Sequence, residues 1–287
     1  MLKISGHTRP FAVLGHPIGH TLSPVMHNAA IETLGWDAIY LAFDVKPERL
    51  MTVLPAMRSM RFGGVNLTIP HKEVAFRGLE KLDVSAKLLG AVNTVQFADE
   101  GMIGHNTDGF GFLRAIEEAF DKTTTGAAVF VLGSGGAGRA VALTAASDGA
   151  KVITLSDVDA ERSERVAAEI RGQFPDVETR ITRDVEDQTV FARESDFVVQ
   201  ATPIGMKDGD ESILKPEAFR NGQCAFDLIY HLPRTVFMNA ATQGGASAVN
   251  GLGMLLHQGA RSFHIWTGVT PPIPEMRRAL ELAVYGK

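Results

Sequence analysis

Residues 127–159 read AAVFVLGSGGAGRAVALTAASDGAKVITLSDVD. An apolar β-branched run, VFVL, breaks into a glycine-rich loop. The loop opens onto an alanine-rich apolar stretch, and a second β-branched run, VITL, ends in an acid. Strand, loop, helix, strand is the order of a dinucleotide-binding unit. G-x-G-x-x-G is a weak pattern alone, and this context makes it specific. Gly133 permits the tight turn, Gly135 lets the backbone approach a pyrophosphate, and Gly138 lets helix pack on strand. Ser134, Gly136 and Ala137 complete the loop, where free N–H groups and the helix dipole favour negative charge. Asp157 stands nineteen residues after Gly138, where the fingerprint places an acid on the ribose 2′-hydroxyl. The plainer readings are a structural glycine turn and an Asp157 that only starts a helix, a task Asp159 would serve as well.

Outward from this unit the alternation continues. RSERVAAEIRGQF (162–174) reads as a helix, and DFVVQAT (196–202) and QCAFDLIY (223–230) read as strands. Strands that alternate with helices predict a parallel, doubly wound sheet. Upstream, PFAVLGHPI, AIYLAFDV and GGVNLTIP read as strands, and SPVMHNAAIETLG, KPERLMTVLPAMRSM and HKEVAFRGLEKL as helices. In the first helix Ser23 is expected to cap, Pro24 to fit the first turn and Gly35 to end it. AVNTVQFADEGMIGHNT reads as a hairpin turning at Asp99, Glu100 and Gly101. GFGFLRAIEEAF follows as a helix, then DKTTTG as a polar, exposed break. Two helices, GLGMLLHQGARSFHIW and PEMRRALELAVYG, close the chain and are expected to pack on the N-terminal domain. The fold class is therefore α/β with two domains: residues 1–112 with 252–287, and a Rossmann domain over 113–251.

Composition bounds the function. The chain has 287 residues, enough for two ordinary domains, with 45% hydrophobic and 21% charged residues. A net charge of −5 without long charged runs argues against nucleic acid and anionic membrane as partners. The single cysteine, Cys224, makes no internal disulfide and suits a reducing cytoplasm. The opening MLKISGHTRPFAVLG lacks the apolar region and cleavage site of a signal peptide, and no apolar run nears the roughly 18 residues of a membrane helix. A cytoplasmic chain is expected.

Two polar constellations carry chemistry. Lys72 follows an apolar strand in GGVNLTIPHK (63–72), and Asp108 ends a hairpin in GHNTDG (104–109), with GAVNT (90–94) between them. A lysine–aspartate pair at strand ends suits proton transfer on a carbonyl or alcohol. On spacing alone, a surface lysine and a turn aspartate account for these residues equally well. In GHPIGHTLSPVMHN (15–28), Thr21 and Ser23 are two apart, so an extended segment would turn both hydroxyls to one side, fit for a carboxylate. His16, His20 and His27 in the same stretch invite a metal. Against it, no HExxH occurs, no cysteine is near, and Pro17 breaks helical pairing of the first two; no metal is expected.

Together these motifs resemble the shikimate dehydrogenase family. GHPIGHTLSPVMHN is similar to its substrate-carboxylate motif, GGVNLTIPHK to its catalytic-lysine motif, and GAVNT and GHNTDGFGF to the two that follow. VLGSGGAGRAV resembles its dinucleotide loop, and QATPIGM, DLIYHLPRT and NGLGMLLHQGARSFHIWTG its C-terminal series. The resemblance runs in order from about residue 11 to about 268. It implies two domains about a cleft and reversible reduction of 3-dehydroshikimate to shikimate by a nicotinamide cofactor. By the same resemblance Lys72 and Asp108 are the catalytic pair, and Thr21 and Ser23 hold the carboxylate. Thr68, Asn93, Asp108 and Gln258 contact ring hydroxyls, and Tyr230 lies beside the substrate. Thr202, Leu228 and Gly251 approach the nicotinamide side.

The chain departs from the family pattern at four places. Thr21 stands where serine is usual, Gln200 where asparagine is usual, and Gly138 where alanine or serine is common. The fourth is decisive for the cofactor: NADP-using members carry Asn-Arg-Thr after the second strand, with the arginine on the 2′-phosphate. Here Ser156-Asp157-Val158 takes that place, or Asp157-Val158-Asp159 if the alignment shifts by one; neither supplies the arginine, and Arg162 matches at best a second basic residue. NAD is therefore the expected cofactor, with NADP weaker. The expected partner is a small cyclic hydroxy acid, and the chain is expected to be a monomer or homodimer. Quinate and aminoshikimate remain alternative substrates, since the same anchor and catalytic pair would serve them. A non-catalytic NAD-binding sensor would not need Lys72, Asp108 and Asn93, and another lysine-dependent dehydrogenase, such as a folate enzyme, would not need the carboxylate motif.

Overall fold

A strand buried on both faces reads as an unbroken apolar run, and β1 (Arg9–Gly15) is buried from Phe11 to Gly15. The computed structural model, which describes residues 4–286, places β1 inside a six-stranded sheet, with a strand on either side. The chain divides into two compact units, residues 1–111 with 256–287, and residues 112–255.

The first unit holds β1, β2 (Ala38–Asp44), β3 (Gly64–Leu67), β4 (Lys81–Leu82), β5 (Thr94–Ala98) and β6 (Gly101–His105), in the order β2-β1-β3-β5-β6-β4. β1 runs parallel to β2 and β3, whereas β5 is antiparallel to both β3 and β6. The sheet is thus mixed, with β5, the first arm of the hairpin read at Asp99–Gly101, running against both of its neighbours. Helices α1 (Ser23–Thr33), α2 (Leu50–Ser59), α3 (His71–Gly78) and α4 (Val84–Leu89) connect the strands. Leu14, Leu50, Leu54, Val65, Leu67 and Val95 form its core. After α10 (Leu252–Thr267), α11 (Ile273–Tyr285) packs on α1, as expected for helices returning to the N-terminal domain.

The second unit is a fully parallel sheet of β7 (Ala128–Leu132), β8 (Val152–Ser156), β9 (Glu178–Thr182), β10 (Phe197–Gln200), β11 (Cys224–Asp227) and β12 (Ser247–Val249). Its order, β12-β11-β10-β7-β8-β9, reverses between β7 and β10, and ligands of such sheets bind at that switch point. Helices α6 (Gly136–Ser147), α7 (Ala160–Gln173), α8 (Val185–Glu194) and α9 (Val236–Gln243) make the crossovers. Phe130, Leu132, Val198, Phe219 and Phe237 pack one face. This is the Rossmann sheet read from residues 127–159.

Several local expectations need correction. Ser23 does not cap α1: it is the first helical residue, Leu22 occupies the cap, and Thr21 Oγ1 accepts the Ser23 N–H at 3.3 Å. Leu22 has helical dihedrals, so Thr21 and Ser23 do not lie in an extended segment. Asp108 does not end a hairpin but opens α5 (Asp108–Phe120), with Asn106 Oδ1 accepting its N–H at 2.9 Å. DKTTTG is not wholly exposed, because Thr124 is buried and donates to Asp148 Oδ2 at 2.6 Å. β9 and α8 went unread because their sequences, ETRIT and VEDQTVFARE, are half polar and carry no strong periodicity. No helix among the described residues is long and apolar enough to cross a membrane.

His27 is sealed in the first unit, its ring flat on Tyr40 at 4.2 Å between centroids. Neither ring nitrogen has a hydrogen-bond partner, and burial lowers its pKa from 6.5 to about 3. The unfolded chain therefore binds a proton between these values that the folded chain refuses, and stability falls as pH drops through that window. His27→Phe is expected to flatten the dependence of unfolding free energy on pH between 6 and 4 by about 1.4 kcal/mol per pH unit. Urea melts across that range measure it, and an unchanged slope would place the acid sensitivity elsewhere.

Candidate active site

β3 ends at Leu67, and the short turn after it delivers Thr68 and then Lys72 on the first turns of α3. β6 ends at His105, and two residues later α5 begins with Asp108. These two ends meet: Lys72 Nζ donates to Asp108 Oδ2 at 2.7 Å, with the side chains 30% and 17% exposed. The carboxylate also sits at a helix N-terminus, where the dipole favours negative charge. Asn93, buried ahead of β5, donates from Nδ2 to Asp108 Oδ1 at 2.9 Å and to Thr107 Oγ1 at 2.9 Å. Its Oδ1 accepts the Thr107 N–H at 2.9 Å, which fixes the amide with its donors toward the carboxylate. Gln258 on α10 brings Oε1 to 3.4 Å from Asn93 Nδ2. Lys72, Asp108, Asn93 and Gln258, spread over 187 residues of sequence, thus form one cluster.

Thr21 and Ser23 lie at the start of α1, and Thr21 Oγ1 is 3.3 Å from Ser23 Oγ. The turn through Leu22 brings the hydroxyls together where an extended chain was expected to. Thr68 is half-buried, and its N–H donates to Leu14 O at 3.0 Å at the carboxyl end of β1. Of the three histidines, His16 is bonded to Asp44 Oδ1 at 2.5 Å and His27 is in the core. Among the described residues no group of three His, Cys, Asp or Glu side chains could hold a metal.

The glycine loop of the second unit lies between β7 and α6. Gly133 has φ +98°, a left-handed conformation that suits glycine, and its N–H donates to Ser156 O at 2.7 Å. A Cβ on Gly138 would stand 1.8 Å from Gly133 O. The loop and helix are in direct contact, and alanine here would force them apart. Gly135 and Gly136 face open space, and no side chain caps the first turn of α6. Free N–H groups behind a side-chain-free surface fit a pyrophosphate.

Asp157 follows β8 and accepts the Ser134 N–H at 2.7 Å and the Asp159 N–H at 2.9 Å. The helix cap is Asp159, which accepts the Arg162 N–H at 3.2 Å. Asp157 is therefore not the helix-start residue of the plainer reading. Its carboxylate is only 6% exposed, with Arg162 Nη1 at 3.3 Å. Burial raises its pKa, but the two backbone N–H groups and the guanidinium prevail and hold it below the usual value.

The remaining residues expected on the cofactor side stand at carboxyl ends of the parallel strands. Thr202 follows β10, and its N–H donates to Gln200 Oε1 at 3.0 Å, while Gln200 Nε2 donates to Ile204 O at 2.7 Å. Gln200 thus folds the loop that carries Thr202, a role its sequence did not suggest. Leu228 follows β11, and its N–H donates to Gln200 O at 2.9 Å. The Gly251 N–H donates to Ile229 O at 3.0 Å. Tyr230, in this second unit, is half-buried with its ring edge toward His231, and burial raises its phenol pKa.

Sequence reasoning missed the residues beneath the first cluster. Tyr40, Asn66, Thr94, Thr107 and Ser262 are buried polar side chains joined by hydrogen bonds. The available signal was a polar residue inside an apolar strand, as in GVNL, where a buried amide demands partners.

A model described as the shikimate dehydrogenase substrate binding domain matches residues 13–95, and one described as the shikimate 5′-dehydrogenase C-terminal domain matches residues 251–281. A shikimate dehydrogenase (NADP(+)) of Methanopyrus kandleri is 38% identical over 281 residues, covering 97% of both chains. The chain belongs to the shikimate dehydrogenase family. Shikimate 5-dehydrogenase from Listeria monocytogenes, in complex with shikimate and NAD, is similar with a TM-score of 0.91 and 35% identity, over 97% of this chain and 98% of that one. Quinate dehydrogenase from Corynebacterium glutamicum, in complex with NAD, is similar with a TM-score of 0.86 and 28% identity, over 95% and 98%. The fold read from the glycine loop is thus the fold of these solved relatives.

Proposed function

We propose that the chain catalyses the reversible reduction of 3-dehydroshikimate to shikimate with a nicotinamide dinucleotide, NAD in preference to NADP. The observation that carries this reading is the Lys72–Asp108 bond of 2.7 Å with Asn93 on the second carboxylate oxygen. Gly133, Ser134, Gly135, Gly136, Ala137 and Gly138 would hold the pyrophosphate, Asp157 the ribose, and Thr202, Leu228 and Gly251 the nicotinamide side. A reduced nicotinamide bound there supplies the hydride that the carbonyl carbon needs. Lys72, as its ammonium, gives the proton to the carbonyl oxygen, and in the reverse direction the neutral amine takes it back. Asp108 orients Lys72 and accepts from a ring hydroxyl, and Asn93 keeps its carboxylate in place.

Thr21 and Ser23 anchor the substrate carboxylate, with Thr68, Asn93 and Gln258 on ring hydroxyls and Tyr230 beside the ring. A hydrogen bond to a charged group contributes about 1.5–3 kcal/mol. Ser23→Ala is therefore expected to raise KM for shikimate by at least about tenfold while KM for the cofactor stays unchanged. Steady-state kinetics with each substrate varied in turn tests this, and an unchanged KM for shikimate would remove the anchor. A second reading, quinate as substrate, is favoured by the likeness to a quinate dehydrogenase.

A further inference from the structure

Asn66, 6% exposed in β3, is held in one orientation. Its Nδ2 donates to the Asn93 backbone carbonyl at 3.0 Å, and a carbonyl can only accept. Its Oδ1 therefore faces Tyr40, whose phenol donates to it at 2.8 Å. The amide nitrogen also reaches Thr94 Oγ1 at 3.1 Å and Ser262 Oγ at 2.9 Å. Ser262 is fully buried on α10, with Thr94 and Thr107 hydroxyls 2.7 and 3.2 Å away. Its own proton goes to the Gln258 carbonyl, one turn back, at 3.0 Å. Such a back-bond does not stabilise a helix by itself. What the hydroxyl does is join the backbone of Gln258 to a rigid amide in the sheet. The Gln258 side chain then stands 3.4 Å from Asn93 Nδ2 and 3.5 Å from Thr107 Oγ1, at the outer limit of hydrogen bonding. A small shift of α10 would break both contacts.

We propose that Ser262 is a positioning residue, which sets the reach of Gln258 by tying α10 to Asn66 and to the Thr94 and Thr107 hydroxyls. The proposal rests on the reading that Gln258 touches a ring hydroxyl of the substrate. Alanine at 262 orphans no buried donor, because Asn66 Nδ2 keeps Asn93 O and Thr94 Oγ1 as acceptors. The variant should therefore fold and lose only the attachment.

The test is steady-state kinetics of the full chain as Ser262→Ala, Gln258→Ala and the double variant, with thermal melts alongside. Ser262→Ala is expected to raise KM for shikimate about five- to tenfold, with kcat and the cofactor KM unchanged. The double variant is expected to match Gln258→Ala alone, since a misplaced glutamine and an absent one are equivalent. Multiplying effects in the double variant would show a general structural role and overturn the proposal, as would a normal KM in Ser262→Ala beside a raised one in Gln258→Ala. A normal KM in Gln258→Ala would overturn its premise and the proposal together, leaving the Lys72–Asp108 assignment to its own test. Ser262→Cys, which keeps the volume and a weak donor, serves the same cycle if the alanine variant melts early.

Discussion

Lys72→Ala is expected to lower kcat for shikimate oxidation by about 10²–10⁴-fold, the range for loss of a general acid–base, and to leave cofactor binding intact. The residue can have this effect because its ammonium is already fixed on Asp108 at 2.7 Å and does not need to be ordered during turnover. Truncation removes the proton donor and leaves a carboxylate that Asn93 still holds but that no cation faces in the pair. Asp108→Asn should also be severe, and the double variant no worse than the poorer single one, because residues that act as a unit are not additive. Initial rates and a cofactor titration on the same preparations measure both quantities. Turnover within a few fold of the parent in Lys72→Ala would move the proton transfer to another group.

NAD is expected to give a kcat/KM at least about tenfold above that of NADP. Asp157 follows the second strand of the dinucleotide unit as a nearly buried carboxylate, fastened by the Ser134 and Asp159 N–H groups. It can accept a ribose 2′-hydroxyl. A 2′-phosphate would lose that bond and meet like charge, at about 4 kcal/mol per charge pair at 4 Å with an effective dielectric of 20. Screening and movement reduce that figure. Arg162 opposes it, but it is already shared between Asp157 and Asp159. Asp157→Asn keeps an acceptor for the Ser134 N–H and removes the charge, so the preference should shrink to about threefold or less. The Methanopyrus kandleri relative is named for NADP(+), and the prediction therefore separates this chain from it. Equal kcat/KM for the two cofactors in the parent would mean that Arg162 turns to the phosphate.

Much of this was legible in residues 127–159, because strand, tight turn and helix N-terminus are local and each leaves a residue-type signature. The Rossmann sheet followed from that stretch. Lys72 and Asp108 stood out as a candidate pair, but spacing alone left a surface lysine and a turn aspartate equally good, since 36 positions separate them and only the sheet order brings β3 and β6 ends together. The family motifs supplied that link. Ser23 was misread as a cap because serine before a helix is ambiguous by one residue. Ser262 was hidden altogether: on α10 it occupies a core-facing position that composition and periodicity give to small apolar residues. Its meaning depends on Asn66, nearly two hundred positions away.

Initial rates of the purified full chain on shikimate and quinate, each with NAD and with NADP, test the substrate and the cofactor together. NAD-dependent oxidation of shikimate, with the highest kcat/KM of the four pairings, is the predicted result. Reduction of neither cofactor by shikimate, in protein that binds NAD, would show that the chain is not a shikimate dehydrogenase in activity.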